Sequence, residues 1–213
     1  SSRAGAFDTR PALLEGAVKG IGGAAMLVVG GQQQSRSTTA VEARDHAQAV
    51  RVLMNRLADD VKSIEAVGHR VVHGGDRFLE STLITDEVEA DIDALSELAP
   101  LHNPACLAGI RGAKSFMGAK VPMVAVFDTA FHRTMPAVAR HYAIPVDVAD
   151  RHHIRRYGFH GIAHASLAEG YAACTGTSLH QKNLITVQLG NGCSVAAIAR
   201  GRSVETSMGF TPL

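Results

Sequence analysis

Two residues in the middle of the chain have the chemical type and the position of groups that act on an anion. Asp128 follows the valine-rich run VPMVAVF, which predicts a buried strand, and open α/β sheets bind ligands at the carboxyl ends of their strands. His160 comes directly before a segment with helical spacing, from Ile162 to about Cys174. Its imidazole is therefore expected beside free backbone N–H groups and the positive end of a helix dipole. Together the two residues suit an anionic substrate.

Arg70 is the third candidate, and it lies in the sequence GHRVVHGG, within a strand predicted near Val67 to Val72. A planar guanidinium suits a carboxylate or a phosphate, but an interior salt bridge fits the same position equally well. Asp128 also has two interpretations: it binds a divalent metal or orients a nucleophile, or it caps the turn before Thr129. The spacing alone leaves these alternatives open.

A group of histidines around His160 has to be weighed as a zinc site. His164 is four residues further on and would share a helix face with His160, and His152 and His153 are nearby. The stretch lacks the glutamate of HExxH metal sites, and Gly161 would loosen the first ligand. A hydrogen bond from His160 to a transferring phosphoryl group fits the helix start better, and a structural role fits His164 better.

The turn LGNG at residues 189–192 could bring backbone N–H groups close to a phosphate, because glycine permits close approach. An Asn-Gly turn is also typical of an ordinary tight hairpin, so both interpretations stand. The sequence contains no GxxxxGK[ST] loop and no GxGxxG after a strand, so neither of these nucleotide fingerprints is present. It also contains no GxSxG motif, which argues against a serine hydrolase of that type.

The elements that must position these residues alternate between strands and helices. Residues 1–43 predict a β-hairpin or meander, because short apolar runs are broken by glycine and by polar residues. The next segment, DHAQAVRVLMNRLADD, predicts a helix with Asp45 as its N-cap. A short helix is predicted at roughly 88–98, and a longer helix with Asn103 as its N-cap and Pro104 at its first position.

The second half of the chain predicts a domain boundary followed by new strands. Pro136 and Pro145 flank a connection that we interpret as a domain crossing, near residue 146. Beyond the next helix, turn residues at 190–192 and 200–202 predict two hairpins whose backbone tolerates positive φ. The three strands that these two hairpins connect indicate the start of a second domain.

Composition excludes several functional classes. The 213 residues carry a net charge of +1 and are 46% hydrophobic, and they lack the Lys/Arg blocks of a nucleic-acid-binding protein. The longest apolar stretch, Ala24 to Val29, is too short to span a bilayer. Three widely spaced cysteines without a CxxC pair fit a reducing compartment, so we expect a cytoplasmic protein.

Taken in order, segments over about residues 60–213 resemble the signature segments of the acetokinase family. They read GHRVVHGG, LAPLHNP, VAVFDTAFHRTMP, HYAIP, RRYGFHG, LGNG and SVETSMGFTPL. The resemblance implies duplicated ribonuclease H-like α/β domains of the sugar kinase, heat-shock ATPase and actin superfamily. Residues 1–146 would form the N-terminal domain, and 147–213 the incomplete start of the nucleotide-binding domain. The implied activity is reversible transfer of the ATP γ-phosphoryl group to acetate, with Mg²⁺ or Mn²⁺, by a homodimer.

The resemblance also implies a role for each matching position. Arg70 is similar to an arginine that grips the acetate carboxylate and the developing phosphoryl charge, and His102 to a histidine on the substrate side. Asp128 is similar to the essential acid near the γ-phosphate and the metal, and His160 to the histidine that hydrogen-bonds the transferring phosphoryl group. The residues that would line a small apolar pocket for the acetate methyl group are Val72, Leu101, Phe159 and Pro212. The residues that would contact phosphate or ATP are Gln188, Gly190, Asn191 and Gly192.

The chain departs from the family pattern at several places. The family opens with an Asn-x-Gly-Ser-Ser-Ser-x-Lys phosphate motif, of which residues 1–3 would be a remnant. It continues beyond Leu213 into a segment with a second catalytic arginine, adenosine-binding motifs and a metal-binding glutamate. Gln188 replaces a histidine but still donates a hydrogen bond, whereas Ile-Ala at 162–163 replaces Thr-Ser. The alternatives are a propionate kinase, which would share every motif, and a catalytically incomplete acetokinase fragment.

Overall fold

The structure is a computed structural model that describes residues 12–32, 34–56, 64–118 and 120–212. Within these residues, strands form three three-stranded sheets. The strands are β1 Leu14–Lys19, β2 Met26–Gly31, β3 Gln34–Ala40, β4 Val67–Val71, β5 Thr82–Leu83, β6 Met123–Phe127, β7 Asn183–Leu189, β8 Cys193–Ala199 and β9 Arg202–Thr206. The α-helices are α1 His46–Arg56, α2 Asp86–Ala94, α3 Asn103–Met117, α4 Ala137–Arg140, α5 Val146–Arg151 and α6 Gly161–Thr175. Short 3₁₀ helices cover Leu95–Glu97, Ala130–Thr134 and Leu179–Gln181. The interpretation of residues 1–3 as a remnant phosphate motif lies outside the described residues.

The first sheet is an antiparallel meander of β1, β2 and β3, which confirms the predicted meander in the part of residues 1–43 that is described. Helix α1 then begins after Asp45, whose Oδ1 accepts a hydrogen bond from the backbone N–H of Gln48 at 2.8 Å. This bond satisfies one of the free N–H groups of the first helical turn. The predicted N-cap is therefore confirmed.

The second sheet places two candidate site residues at the same edge. Strands β4 and β6 are parallel, with Arg70 opposite Val126 and Val71 opposite Phe127. Because parallel strands bring their carboxyl ends to one edge, Asp128 follows β6 beside the end of β4. Its backbone N–H donates to the carbonyl of Val71 at 3.0 Å, so the pairing continues to the aspartate itself.

The predicted strand ending at Asp128 is confirmed, but the valines do not form its buried face. Met123, Ala125 and Phe127 are buried, whereas the alternating positions Val124 and Val126 are half-buried. Helices α2 and α3 cover the buried side. The core between them and the sheet consists of Val71, Phe78, Ile92, Leu107, Ile110, Ala125 and Phe127.

The start of α3 differs from the prediction. Asn103 is the first helical residue and His102 occupies the cap position without a side-chain capping bond. The Asn103 side chain is fully buried and holds the loop after β4. Its Oδ1 accepts from the backbone N–H of His73 at 3.1 Å, and its Nδ2 donates to the His73 carbonyl at 3.1 Å. The N-cap prediction is wrong because the Asn103 amide forms hydrogen bonds with the distant backbone of His73 instead of capping its own helix.

The third sheet is a second antiparallel meander, of β7, β8 and β9, and it confirms both predicted hairpins. Positive φ occurs in the second turn, at Arg200 and Gly201, with values of 52° and 80°. Residues 190–192, which were predicted to tolerate positive φ, do not adopt it. Four aliphatic side chains on the outer face are exposed, namely Ile185, Val187, Leu189 and Val195. The domain boundary near residue 146 stays a prediction.

No helix among the described residues is long and apolar enough to cross a membrane.

We predict that Asn103→Ala lowers the free energy of unfolding by about 2–5 kcal/mol, because two buried backbone groups of His73 lose their partners. Urea denaturation measures this change. Asn55→Ala, at an exposed position of α1, is the matched control and should stay within about 0.5 kcal/mol of wild type. Equal unfolding midpoints for the two variants would contradict the role of Asn103.

Candidate active site

Arg70 and Asp128 form an ion pair at the edge of the second sheet. The Nε and Nη2 atoms of Arg70 both donate to Oδ2 of Asp128, at 2.9 Å and 2.5 Å. The aspartate side chain is only 2% exposed, whereas the arginine side chain is 58% exposed. A buried carboxylate needs such a partner. The salt-bridge interpretation of Arg70 is therefore confirmed, and its side chain remains accessible to solvent. Binding of an anion by Arg70 stays a prediction.

His160 has a backbone conformation that requires support from its surroundings. Its φ of 56° and ψ of 23° lie in the left-handed region, which costs a residue other than glycine roughly 1–3 kcal/mol. Two hydrogen bonds hold it there. The N–H of Gly161 donates to the carbonyl of Asp128 at 2.8 Å, and the carbonyl of Phe159 accepts from Nε2 of His132 at 3.0 Å. The peptide groups on both sides of His160 are thus tied to the loop after β6.

The glycines on either side of Phe159-His160 make this close approach feasible. A Cβ atom at Gly161 would lie 2.2 Å from the carbonyl oxygen of Asp128. A Cβ atom at Gly158, whose φ is 73°, would lie 2.7 Å from the ring of His132. The motif GFHG therefore encodes the contact between the helix start and the strand tip. The helix after His160 is confirmed as α6, but its first N–H is not free as predicted, because it donates to Asp128.

His132 is a buried residue of the site that the sequence did not single out. Its Nε2 faces a carbonyl and must carry the ring proton, so its Nδ1 accepts from the Ser203 hydroxyl at 2.8 Å. Burial lowers the pKa of His132 to about 4, so the ring is neutral near pH 7. Its position four residues after Asp128, in FDTAFH, is the signal that could have identified it.

His73 is a second buried histidine beside the site. Its Nδ1 accepts from the N–H of Gly75 at 3.0 Å, so its proton lies on Nε2, which has no hydrogen-bond partner among the described residues. The ring packs edge-on against Tyr157 and Phe159, with centroid distances of 4.5 Å and 5.5 Å. Burial lowers its pKa to about 4.

Two of the four residues predicted to line an apolar pocket lie together. Val72 and Phe159 are buried in one cluster with Tyr157 and Met208. Leu101 does not join them, since it is 78% exposed. Pro212 is half-buried and lies two residues after Phe210, which packs against the cluster.

The turn after β7 comes against His160. A Cβ atom at Gly192 would lie 3.1 Å from Cε1 and 3.4 Å from Nε2 of the imidazole. The turn is closed by the N–H of Gly190, which donates to the carbonyl of Gly192 at 3.0 Å, and Asn191 at its tip is exposed. Gln188 lies on the half-buried side of β7. The structure thus brings the predicted phosphate-contacting turn to His160.

His102 is related to the ion pair only through its neighbours in the chain. It is half-buried at the start of α3, next to the Asn103 amide that fastens His73. Cys106 lies one turn further along α3, and burial raises the pKa of its thiol. Its sulfur is also close enough to Arg70 and Asp128 for both charges to influence this pKa. The first turns of α3 therefore border the ion pair.

The described residues contain no group of three or more His, Cys, Asp or Glu side chains that could hold a metal ion. His160 and His164 both hydrogen-bond the Ser194 hydroxyl, each at 2.9 Å, and His152 and His153 are exposed. These contacts argue against the zinc alternative. Among the candidate site residues that the structure describes, Asp128 is the carboxylate.

Comparison with known proteins agrees with the fold. The family model described as Acetokinase family matches residues 7–213. The chain therefore belongs to the acetokinase family. It is 47% identical over 215 residues to an acetate kinase of Clavibacter michiganensis subsp. michiganensis, covering 97% of this chain and 53% of that protein. It is 45% identical over 206 residues to the acetate kinase of Bacillus subtilis, with coverage of 94% and 52%.

Solved structures show the same mixed α/β fold. The crystal structure of Porphyromonas gingivalis acetate kinase matches with a TM-score of 0.85 at 36% identity, over 94% of this chain and 52% of that chain. A propionate kinase from Francisella tularensis subsp. tularensis matches with a TM-score of 0.85 at 39% identity and the same coverage. The chain spans about half the length of the relatives that it matches.

The buried neutral histidines predict a stability that depends on pH. Their pKa values are lowered from 6.5 to about 4, so below about pH 6.5 the unfolded chain binds protons that the folded chain does not. Their contribution is complete above about pH 6.5 and is lost as the pH falls toward about 4. Each histidine should lower the free energy of unfolding by roughly 2 kcal/mol as the pH falls from about 7 to about 5.

Urea denaturation of His132→Gln at the two pH values tests this expectation. The variant should be less stable than wild type near pH 7 but lose about 2 kcal/mol less on acidification. His152→Gln, at an exposed position, should keep the wild-type difference. An unchanged difference in His132→Gln would contradict a neutral His132.

Proposed function

We propose that the protein that carries this sequence transfers the γ-phosphoryl group of ATP reversibly to acetate, giving acetyl phosphate and ADP. The observation that carries the proposal is the convergence of a solvent-facing Arg70, a paired Asp128, His160 and the turn at 190–192. It is supported by membership of the acetokinase family and by relatives named acetate kinase.

Phosphoryl transfer asks the protein mainly to position its reactants and to stabilise charge. In the proposed reaction, a carboxylate oxygen of acetate attacks the γ-phosphorus, and the bond from this phosphorus to the β-γ bridging oxygen of ATP breaks. No protein nucleophile is needed. Arg70 binds the acetate carboxylate and the charge on the transferring group, while Asp128 fixes the plane of its guanidinium through Nε and Nη2.

His160 acts on the transferring phosphoryl group in this proposal. Its Nε2 lies next to Gly192, so a hydrogen bond from this nitrogen and the backbone of the turn reach the same phosphoryl oxygens. His102 approaches from the start of α3, on the acetate side, as the resemblance implies. Gln188, Gly190 and Asn191 belong to the nucleotide side.

Magnesium, or manganese in its place, fits this site as an ion held largely by phosphates. Mg²⁺ usually keeps several waters and takes one or two carboxylates besides substrate phosphates, and Asp128 is such a single carboxylate. When bound, the ion would neutralise phosphate charge during transfer. Asp128 would hold it in place, directly or through water, while keeping Arg70 oriented.

Acetate is the proposed acceptor because the family resemblance assigns Val72 and Phe159 to the pocket of its methyl group. These two side chains lie in one apolar cluster with Tyr157 and Met208, which suits a small alkyl group better than a polar one. Propionate is the second candidate, because a propionate kinase matches this fold with the same TM-score of 0.85. One methylene changes discrimination by only about 1–3 kcal/mol, so turnover of the two acids has to be compared directly.

The remaining parts of the proposal rest on the family resemblance. They are a duplicated ribonuclease H-like architecture with the boundary near residue 146, ATP bound mainly by the second domain, and a homodimer that acts in the cytoplasm. The three-stranded meander of β7, β8 and β9 is consistent with the start of such a second domain. Sedimentation analysis would test the dimer.

We predict that Arg70→Ala reduces acetyl phosphate formation by ~100-fold or more, because the charge of the transition state loses a preorganised partner. The full-length protein is assayed with ATP, Mg²⁺ and acetate or propionate, and the product is trapped as the hydroxamate. Arg111→Ala is the control, since this exposed residue forms ion pairs with Glu89 and Asp93 on the helical surface, and it should retain activity within about two-fold.

A folded Arg70→Ala protein with activity equal to the control would overturn the assignment of Arg70. A wild-type protein that forms neither acyl phosphate would overturn the proposed reaction. A larger kcat/KM for propionate than for acetate would name the second candidate as the substrate.

A further inference from the structure

His160 is the first member of a row of four side chains that runs from the site into the core. Its Nδ1 is 2.9 Å from the hydroxyl of Ser194. The same hydroxyl is 2.9 Å from Nε2 of His164, and Nδ1 of His164 is 2.8 Å from the hydroxyl of Thr186. Hydroxyl and imidazole groups alternate along this row, so protons along it are interdependent.

The three inner members are shielded from water. Ser194 is 1% exposed, His164 is 0% exposed and Thr186 is 8% exposed. They come from three elements, since Thr186 lies on β7, Ser194 on β8 and His164 one turn into α6. The row therefore links the third sheet to α6, the helix that begins directly after His160. Nothing in the proposed reaction uses these three side chains directly.

The hydroxyl of Ser194 has a single proton and lies between two imidazole nitrogens. Because Ser194 is buried, this proton has to be given to one of the two rings. Burial lowers the pKa of His164, and the nearby His160 adds to that effect, so His164 is neutral and carries one ring proton. The row then has a direction, and only two directions are available.

The two directions leave His160 in opposite states at the site. In the first, Thr186 donates to Nδ1 of His164, Nε2 of His164 donates to Ser194, and Ser194 donates to Nδ1 of His160. The proton of His160 is then on Nε2, the nitrogen beside Gly192. In the reverse direction Nδ1 of His160 donates to Ser194, and in a ring with a single proton Nε2 then presents a lone pair that would repel a phosphoryl oxygen.

We propose that Ser194, His164 and Thr186 are positioning residues that hold His160 with its proton on Nε2, directed toward the anion. The choice of Nε2 rests on the proposed function, because a phosphoryl oxygen at the site is what selects between the two directions, whereas the row itself is observed in the structure. The row also fixes the rotation of the His160 ring, since a ring turned over would lose the bond to Ser194. Thr186, at the far end of the row from His160, therefore influences the site through two intervening side chains.

The test is nitrogen NMR of the full-length protein with ¹⁵N-labelled histidine, in which two-bond couplings to the ring carbons' protons show which nitrogen carries the proton. The His160 signals are assigned by their loss in His160→Gln. In wild type we expect the proton of His160 on Nε2. In Ser194→Ala and Thr186→Val the proton should be shared between both nitrogens, and Thr186→Ser should restore the wild-type spectrum.

Kinetics of the same variants give the second readout. Ser194→Ala and Thr186→Val should lower kcat by ~10-fold, a fraction of the effect of removing a donor outright, with the KM for acetate unchanged. Thr186→Ser should keep kcat within about two-fold. A purely structural role would shift the urea midpoint without moving the His160 proton.

Two results would overturn the inference: a wild-type His160 that carries its proton on Nδ1, or a tautomer that is unchanged in a folded Ser194→Ala or Thr186→Val protein. If Ser194→Ala fails to fold, the comparison of Thr186→Val with Thr186→Ser tests the inference. Wild-type protein with the proton on Nε2 but without acetyl phosphate formation would reject the proposed function and leave the tautomer assignment standing.

Discussion

Two hydrogen bonds between the loop after β6 and the segment GFHG hold the site together. One joins the carbonyl of Asp128 to the N–H of Gly161, and the other joins the ring of His132 to the carbonyl of Phe159. They act on the peptide groups on either side of His160, whose backbone would otherwise leave the left-handed region. Each bond contributes about 1 kcal/mol net, which together is of the order of the backbone strain. The position of the imidazole relative to Arg70 follows from them.

The electrostatics of the site depend on burial as much as on charge. Asp128 is buried and paired with Arg70, while burial lowers the pKa of His73 and of His132 to about 4 and keeps both rings neutral near neutral pH. In the ion pair of Arg70 and Asp128, the arginine side chain is the member that is exposed to solvent. In the proposed reaction, an anion would meet the oriented positive charge of Arg70, the imidazole of His160 and the glycine turn at 190–192. Preorganised groups of this kind stabilise developing charge without having to reorient.

The parts of the fold with a periodic or local signal could be predicted from the sequence. The strand before Asp128, the helix after His160 and the Asp45 cap are confirmed because apolar spacing and capping chemistry are local properties. The approach of Arg70 to Asp128 follows from the parallel pairing of their strands. What could not be predicted depends on long-range contacts. Asn103 bonds the loop after β4 rather than its own helix, and no periodicity marks such a use.

The same limit applies to the candidate site. His132 and His73 are single polar residues in apolar surroundings, and their partners are 27 residues away or in an adjacent turn. Leu101 is exposed although the resemblance places it in the pocket. Short motifs identify which residues take part, but the tertiary structure decides which atoms meet.

The most direct measurement is the activity of Gly161→Ala in the full-length protein. The new methyl group would lie 2.2 Å from the carbonyl of Asp128, so the helix start must move away from the strand tip although no functional side chain is changed. If the backbone contact positions His160, we expect kcat for acetyl phosphate formation to fall by ~100-fold, as on losing the imidazole itself. Gly109→Ala, within α3 and with no atom beyond the neighbouring helical backbone within 4 Å of the added Cβ, should remain near wild type. A folded Gly161→Ala protein with wild-type kcat would contradict the dependence of the site on this contact.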